Sequence, residues 1–376
     1  MRVLVTGGGT AGHIYPALTV AAQLVDEHDE VTFVGTPNGL EARLVPEAGI
    51  SFRALASRGF DRARLSTLGV AAFTTVKSTY TAWRWLGESR PDVVLGFGAY
   101  VSLPVGLAAV LRGVPLVLHE QNSVPGLANK ILSRWAAKVC VTYEESAALL
   151  AHPERSVTTG NPVRSDLLAS TRASGRQRLE LNDDDLVLLV FGGSRGARHI
   201  NSALVSLRER LLSIESLVVI HVAGANEASS VREALGELTE QDARRWRVLE
   251  YLPGMGDAIA AADLVVCRAG ATTIAELTAL GAAAIVVPYP YATDDHQTKN
   301  AATLVAHDAA ILIGDADLDS DTFSEALIGA LGDPAMRANM SAASRALGRP
   351  DAAKRVSAIA HEIARARTDD RMEEGL

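Results

Sequence analysis

The 376-residue chain is long enough for two domains, since single hydrophobic cores rarely grow past roughly 250–300 residues. Hydrophobic residues make up 48% and aromatics 5%, the balance of a soluble α/β protein, while a net charge of −8 argues against a nucleic-acid partner held by a general electrostatic field. The most apolar stretch, 101–118, is broken by Pro104, Gly106, Arg112, Gly113 and Pro115, so no segment is expected to span a bilayer.

In chain order, residues 2–6 form a short β-branched strand, followed by GGGTAGH (7–13) and a helix that Pro16 can open. Gly7, Gly9 and Gly12 fit the G-x-G-x-x-G of a dinucleotide loop in its strand–turn–helix context. That fingerprint also requires an acid at the end of the second strand, and here the strand ends Val34-Gly35-Thr36-Pro37-Asn38 without one, which disfavours a nicotinamide dinucleotide. The loop still offers backbone N–H groups to a sugar or phosphate. His13 projects from it, and imidazole can take a proton from an attacking hydroxyl near neutral pH; the plainer alternative is a histidine satisfied by its own loop. Further strands are expected near 31–35, 52–55, 92–97, 116–119 and 139–143 with helices between them, implying a parallel sheet covered on both faces. HEQN (119–122) closes one of these strands, a place that favours ligand contact. The unit ends near GNPVR (160–164), where Asn161-Pro162 forces extended backbone.

After the polar segment 170–185 the pattern restarts. A buried strand at 186–191 leads into a second glycine turn, GGSRGAR (192–198), and a helix at 201–212. Ser194 stands at that helix start, where its hydroxyl and backbone suit phosphate oxygens, unless it is only an N-cap. Strands near 217–222, 247–251, 264–267, 283–287 and 310–313 complete a second sheet. The stretch 263–300 holds a strand, a turn at Gly270, a helix opened by Thr272 and Thr273, another strand, and a loop with Asp294, Asp295, His296 and Gln297. In an open α/β sheet ligands sit beyond the carboxyl ends of the strands, so turn and loop line one crevice. The helix start suits a phosphate, and Glu276, about one turn on, is placed to accept both hydroxyls of a ribose; otherwise it complements the helix dipole. A sugar nucleotide at a switch point is the reading. The expected fold class is α/β, two Rossmann-like parallel-sheet domains facing across a cleft, divided as 1–163 and 164–349, with a C-terminal helix at 350–366 packing back on the first.

Cys140 and Cys267 each lie in an apolar strand-like run and read as reduced core thiols of a cytosolic protein. D-x-D matches at Asp183/Asp185 and within 315–321 raise a metal-dependent transferase. The first precedes a strand, and the second leads into a helix where Thr322 and Glu325 spell a capping box, so turn and cap roles are expected, with no essential metal and no cofactor. Between Arg58 and Arg90 six basic residues stand against two acids, and Phe73, Val76, Tyr80 and Trp83 recur at helical spacing. A basic segment with an aromatic face can lie on an anionic membrane surface; the alternative is an ordinary helix packed on its sheet.

GGGTAGHIYPAL, HEQNSVPGLANK, GNPVR, FGGSRGAR, CRAGATTIAEL and DDHQTKNA, in this order and spacing over residues 1–365, resemble the bacterial peptidoglycan N-acetylglucosaminyltransferases of the MurG family, which make lipid II. The resemblance implies a GT-B fold, UDP-N-acetylglucosamine as donor, undecaprenyl-pyrophosphoryl-N-acetylmuramoyl-pentapeptide as acceptor, and inversion without an obligatory metal. It further implies a peripheral protein at the cytoplasmic face of the cell membrane. Carried over by position, Thr10, Ala11, Gly12, Asn122 and Arg164 match ligand-binding residues. So do Ser194 at the phosphates, Leu252 beside the uracil, Ala271, Thr272, Thr273 and Glu276 around phosphate and ribose, and Gln297 at the donor sugar. Two departures stand out: Ala11-Gly12 replaces a frequent pair of glycines, and Ala283 replaces a frequent proline. The expected reaction is a single displacement, the C4 hydroxyl of the muramoyl sugar attacking C1 of the donor, with His13 as base and Glu120 in reserve. A GT-B transferase with another acceptor or a UDP-sugar epimerase would share the nucleotide site, whereas a nucleotide-dependent oxidoreductase would use the first loop.

Overall fold

The computed structural model describes residues 1–57, 66–192 and 197–373. One compact unit is built from Met1–Arg164 together with the chain from Arg349 onward, the other from Ser165–Gly348. In the first, β1 (Arg2–Thr6), β2 (Glu30–Gly35), β3 (Ser51–Ala54), β4 (Val93–Gly96), β5 (Leu116–Glu120), β6 (Lys138–Val141) and β7 (Ser156–Thr158) pair in parallel in the order β3-β2-β1-β4-β5-β6-β7. Strands buried on both faces read as near-continuous apolar runs, as VLV in β1 and VVL in β4 do. Alternate side chains then sort to opposite faces. Val3, Val5, Phe33, Leu95 and Phe97 pack under the helix Ala11–Asp26; Leu4, Val34, Val94, Leu116 and Leu118 pack under the helix Ala99–Leu111. Each fully buried large side chain here is worth roughly 1.5–3 kcal/mol.

The helix Ala352–Glu373 completes the first face. Its Ala353, Val356, Ala360 and Ala364 join Ala17, Val20, Ala21 and Leu24 of the first helix in one cluster. The α-amino group of Met1 meets Asp29 at 2.7 Å, and His361 Nε2 lies 2.9 Å from the same carboxylate.

The second unit repeats the plan. β8 (Leu186–Phe191), β9 (Leu217–Val222), β10 (Trp246–Leu249), β11 (Leu264–Arg268), β12 (Ala284–Val287) and β13 (Ala310–Leu312) run parallel in the order β10-β9-β8-β11-β12-β13. The strand order reverses between β1 and β4 in one sheet and between β8 and β11 in the other. These are the two switch points, where the helices following adjacent strands leave on opposite faces and open a crevice.

Three local readings are corrected. Pro16 lies inside the first helix, which begins at Ala11; the missing N–H forfeits only one bond, to the Gly12 carbonyl. β7 was not expected, being three half-buried residues at a sheet edge. The helix Asp321–Gly332 starts ahead of Thr322, and Ser320 caps it with backbone only, so the Thr322–Glu325 box does not form.

Candidate active site

In the first unit the helix starts after β1 and β4 flank the switch point. Thr10 is the N-cap of Ala11–Asp26 without using its side chain, so the amides of Ala11 and Gly12 open the helix, where N–H groups have no intrahelical partner. Across the switch point a turn absent from the sequence reading follows β4: Gly98 has φ +81° and Ala99 φ +62° ahead of Ala99–Leu111. A Cβ on Gly98 would sit 3.5 Å from the His13 ring, so imidazole and turn are in contact. The signal was Gly96-Phe97-Gly98 between strand and helix.

His13 is half-buried, and its Nδ1 lies 2.9 Å from Gln121 Oε1. Gln121 Nε2 donates to the Phe97 carbonyl at 3.1 Å and lies 3.2 Å from His119 Nδ1, while His119 Nε2 meets the Gly160 carbonyl at 3.0 Å. The HEQN stretch therefore points mostly inward. Glu120, 1% exposed, accepts from the amides of Asn122 and Gly126 at 3.0 Å each and from Asn129 Nδ2 at 2.8 Å. Three donors around a buried carboxylate make Glu120, the reserve base of the sequence reading, the anchor of the 121–126 loop. Asn122 is half-buried in that loop, and the Arg164 guanidinium stands 5.1 Å from the Tyr15 ring on the first helix, within this unit.

An acid does lie at the end of β2. Glu41 is 0% exposed, accepts from Thr36 N at 2.8 Å and Thr36 Oγ1 at 2.7 Å, and is packed so closely that a Cβ on Gly8, Gly35 or Gly39 would collide with its side chain. Oε1 takes both bonds and Oε2 is buried without a hydrogen-bond partner among the described residues, so the carboxylate is enclosed between the first glycine loop and β2.

In the second unit Ser194 falls outside the described residues. The turn after β11 delivers Gly270 as the N-cap of the helix Ala271–Leu280, in extended backbone without a side-chain cap. Thr272 and Thr273 thus sit within the first turn rather than capping it, and the buried Thr272 Oγ1 has no hydrogen-bond partner among the described residues. Glu276 is half-buried in the second turn; burial first, and its negative charge second, push the Cys267 thiol up. Beyond the neighbouring β12, Gln297 Oε1 accepts from Tyr289 N at 2.8 Å, and Leu252 rests half-buried against the core. Both cysteines are buried and free, and burial carries the Cys140 thiol to about 12.

A charged tether missed in the sequence braces these helix starts. His199, on the helix Arg198–Ser206, meets Asp315 through Nδ1 at 2.8 Å and Asp319 through Nε2 at 3.0 Å, and Asp315 also receives Arg268, the last residue of β11. The hydrogen bond to Asp315 leads in raising the His199 pKa above its ordinary value. Burial would raise the Asp315 carboxyl, but the bonds from His199 and Arg268 outweigh it and hold it low. A raised histidine stabilises fully below its unfolded pKa and loses that contribution as pH rises through the folded one; a lowered carboxylate stabilises above its unfolded pKa and loses it as pH falls through the folded one. The tether is strongest between about pH 4 and 6.5. His199→Gln is expected to lower the unfolding midpoint by about 1–3 °C near pH 5.5 and by less near pH 9. Equal losses at both pH values would assign His199 to packing alone.

Residues 3–141 match the glycosyltransferase family 28 N-terminal domain and residues 187–356 the glycosyltransferase family 28 C-terminal domain, so two doubly wound sheets with N–H-rich helix starts define a GT-B glycosyltransferase. A UDP-N-acetylglucosamine–N-acetylmuramyl-(pentapeptide) pyrophosphoryl-undecaprenol N-acetylglucosamine transferase of Desulfitobacterium hafniense (strain Y51) is 43% identical over 363 residues, 95% of this chain and 97% of that one. A transferase of the same name from Halalkalibacterium halodurans is 38% identical, over 97% of this chain and all of its own. The crystal structure of Acinetobacter baumannii MurG superposes with a TM-score of 0.76 at 31% identity, covering 96% and 99% of the two chains. The chain belongs to this family of N-acetylglucosamine transferases. A UDP-GlcNAc 2-epimerase from Neisseria meningitidis shares the fold alone, at TM-score 0.63 and 16% identity.

Proposed function

We infer that the chain transfers N-acetylglucosamine from UDP-N-acetylglucosamine to N-acetylmuramyl-(pentapeptide) pyrophosphoryl-undecaprenol, forming lipid II for peptidoglycan. The observation that carries this is identity of 36–43% along nearly the whole chain to transferases of that name. In this reading 164–349 is the donor domain. Ala271, Thr272 and Ser194 meet the diphosphate, Thr273 and Glu276 the ribose side, Leu252 the uracil and Gln297 the sugar. The partnerless Thr272 hydroxyl favours it. Residues 1–163 take the acceptor at Thr10, Ala11, Gly12 and Asn122, with Arg164 at the border. His13 takes the proton of the C4 hydroxyl as it attacks C1 with inversion, and the helix N-termini meet the charge that develops on departing UDP. Labelled UDP-N-acetylglucosamine and a lipid I analogue should yield a labelled disaccharide. Formation of an epimerised sugar nucleotide without disaccharide would sink the reading and favour the epimerase.

The acceptor's lipid tail stays in the bilayer, since each methylene moved to water costs about 0.8 kcal/mol. We place the docking face on the helix Ser66–Ser89. Ala71, Ser78, Ala82 and Leu86 are its buried side, while Phe73, Val76 and Tyr80 are 73%, 69% and 62% exposed. Helical geometry sets the two stripes on opposite faces, with Lys77 and Arg84 exposed beside the outer one. An ordinary core helix does not leave three large apolar residues in water on one stripe. Arg58, Arg62 and Arg64 fall outside the described residues. No helix among the described residues is long and apolar enough to cross a membrane, and peripheral docking at the cytoplasmic face fits this surface. Changing Lys77 and Arg84 to Glu should cut sedimentation with anionic vesicles several-fold and slow transfer to a full-length lipid acceptor, but spare a short-chain one. Unaffected vesicle binding, or equal loss with both acceptors, would move the docking face elsewhere.

A further inference from the structure

We propose that Gln121 and His119 are positioning residues that keep the proton of neutral His13 on Nδ1, so that Nε2 is presented as the proton-accepting atom. The inference rests on the reading of His13 as the base. Two backbone carbonyls, which can only accept, fix the direction of the whole chain of bonds. The Phe97 carbonyl, 3.1 Å from one end of the Gln121 amide, requires that end to be the NH₂ group, so the oxygen faces His13. An amide oxygen only accepts, so the His13 Nδ1 that lies 2.9 Å away must be the donor. In the neutral ring the lone pair is then on Nε2.

The second carbonyl fixes the same sense independently. Gly160 O, 3.0 Å from His119 Nε2, places the His119 proton there, and the lone pair on its Nδ1 receives the remaining Gln121 N–H at 3.2 Å. This requires an uncharged His119, and burial, ahead of the opposing Gly160 bond, lowers its pKa to about 4. The ring is also held in place by stacking on Phe97, with centroids 5.3 Å apart. Gln121 is 1% exposed, so water does not compete for either end of its amide. A base needs both its orientation and its tautomer set before the substrate arrives, because a misplaced proton leaves no lone pair toward the attacking hydroxyl.

The test uses the full-length chain labelled with ¹⁵N-histidine, in which long-range ¹H–¹⁵N correlations separate protonated from bare ring nitrogens; His13→Ala identifies the His13 signals. The wild-type chain should show His13 as the Nδ1–H tautomer. Gln121→Met, close in shape but without hydrogen bonds, should abolish that preference and lower kcat about ten- to a hundredfold at unchanged UDP affinity. His119→Gln, which keeps one acceptor and one donor, should lose less than His119→Met. A wild-type His13 protonated on Nε2 overturns the proposal even where a variant fails to fold, and so does Gln121→Met with wild-type tautomer and kcat. If the tautomer is as stated but His13→Ala turns over normally, the base reading fails and the catalytic consequence with it, while the proton placement stands.

Discussion

His13→Ala is expected to lower turnover by about 10²–10⁴ while UDP affinity stays near that of the unaltered protein. The imidazole stands in the first unit, over Gly98 and beside the amides that open the first helix, whereas the residues assigned to the nucleotide stand in the second. Removing it should therefore withdraw a group that acts on the attacking hydroxyl and leave the nucleotide contacts in place. Steady-state kinetics with a soluble acceptor, beside calorimetric titration with UDP, separate the two quantities. Loss confined to UDP binding would reassign His13 to the donor, and unchanged turnover would end its candidacy as base.

Glu276→Ala should weaken UDP binding about ten- to a hundredfold, the equivalent of one charged hydrogen bond worth roughly 1.5–3 kcal/mol. The carboxylate lies in the second turn of Ala271–Leu280, close enough to the end of β11 for its charge to act on Cys267. In the proposed reading that carboxylate reaches a ribose whose phosphates rest on the helix start. Glu276→Gln, which retains an acceptor oxygen but loses the charge, should fall between. Unchanged UDP affinity in a folded Glu276→Ala protein would remove the ribose assignment and leave only a complement to the helix dipole.

The sheets were legible because strands buried on both faces, such as 186–191 and 217–222, announce themselves as apolar runs that follow polar residues and end near a glycine. What escaped depends on partners far apart in sequence. Glu41, six residues past the end of β2, drew no notice in the sequence; its place comes from Gly8 and Gly35, which leave room for a carboxylate only once β1 and β2 are paired. The place of HEQN at a strand end favours ligand contact, yet both faces of the strand and the turn after it are covered, so His119, Glu120 and Gln121 are buried, which no local pattern reveals. The Arg268–Asp315–His199 tether joins residues 47 and 116 positions apart. The Thr322–Glu325 box failed for the opposite reason, a local match overridden when the helix began two residues sooner.

The first sheet is walled on one side by a helix that follows the whole of the second unit in the chain. Because Ala353, Val356, Ala360 and Ala364 cover Ala17, Val20, Ala21 and Leu24, the second unit is an insertion within the first, and its contiguous chain can fold while the first still lacks a wall. Until the residues after 349 are made, the apolar stripe of the opening helix has no cover on that side. The closing step draws the Met1 ammonium, Asp29 and His361 together, and a chain cut short of Ala352 leaves that stripe in water.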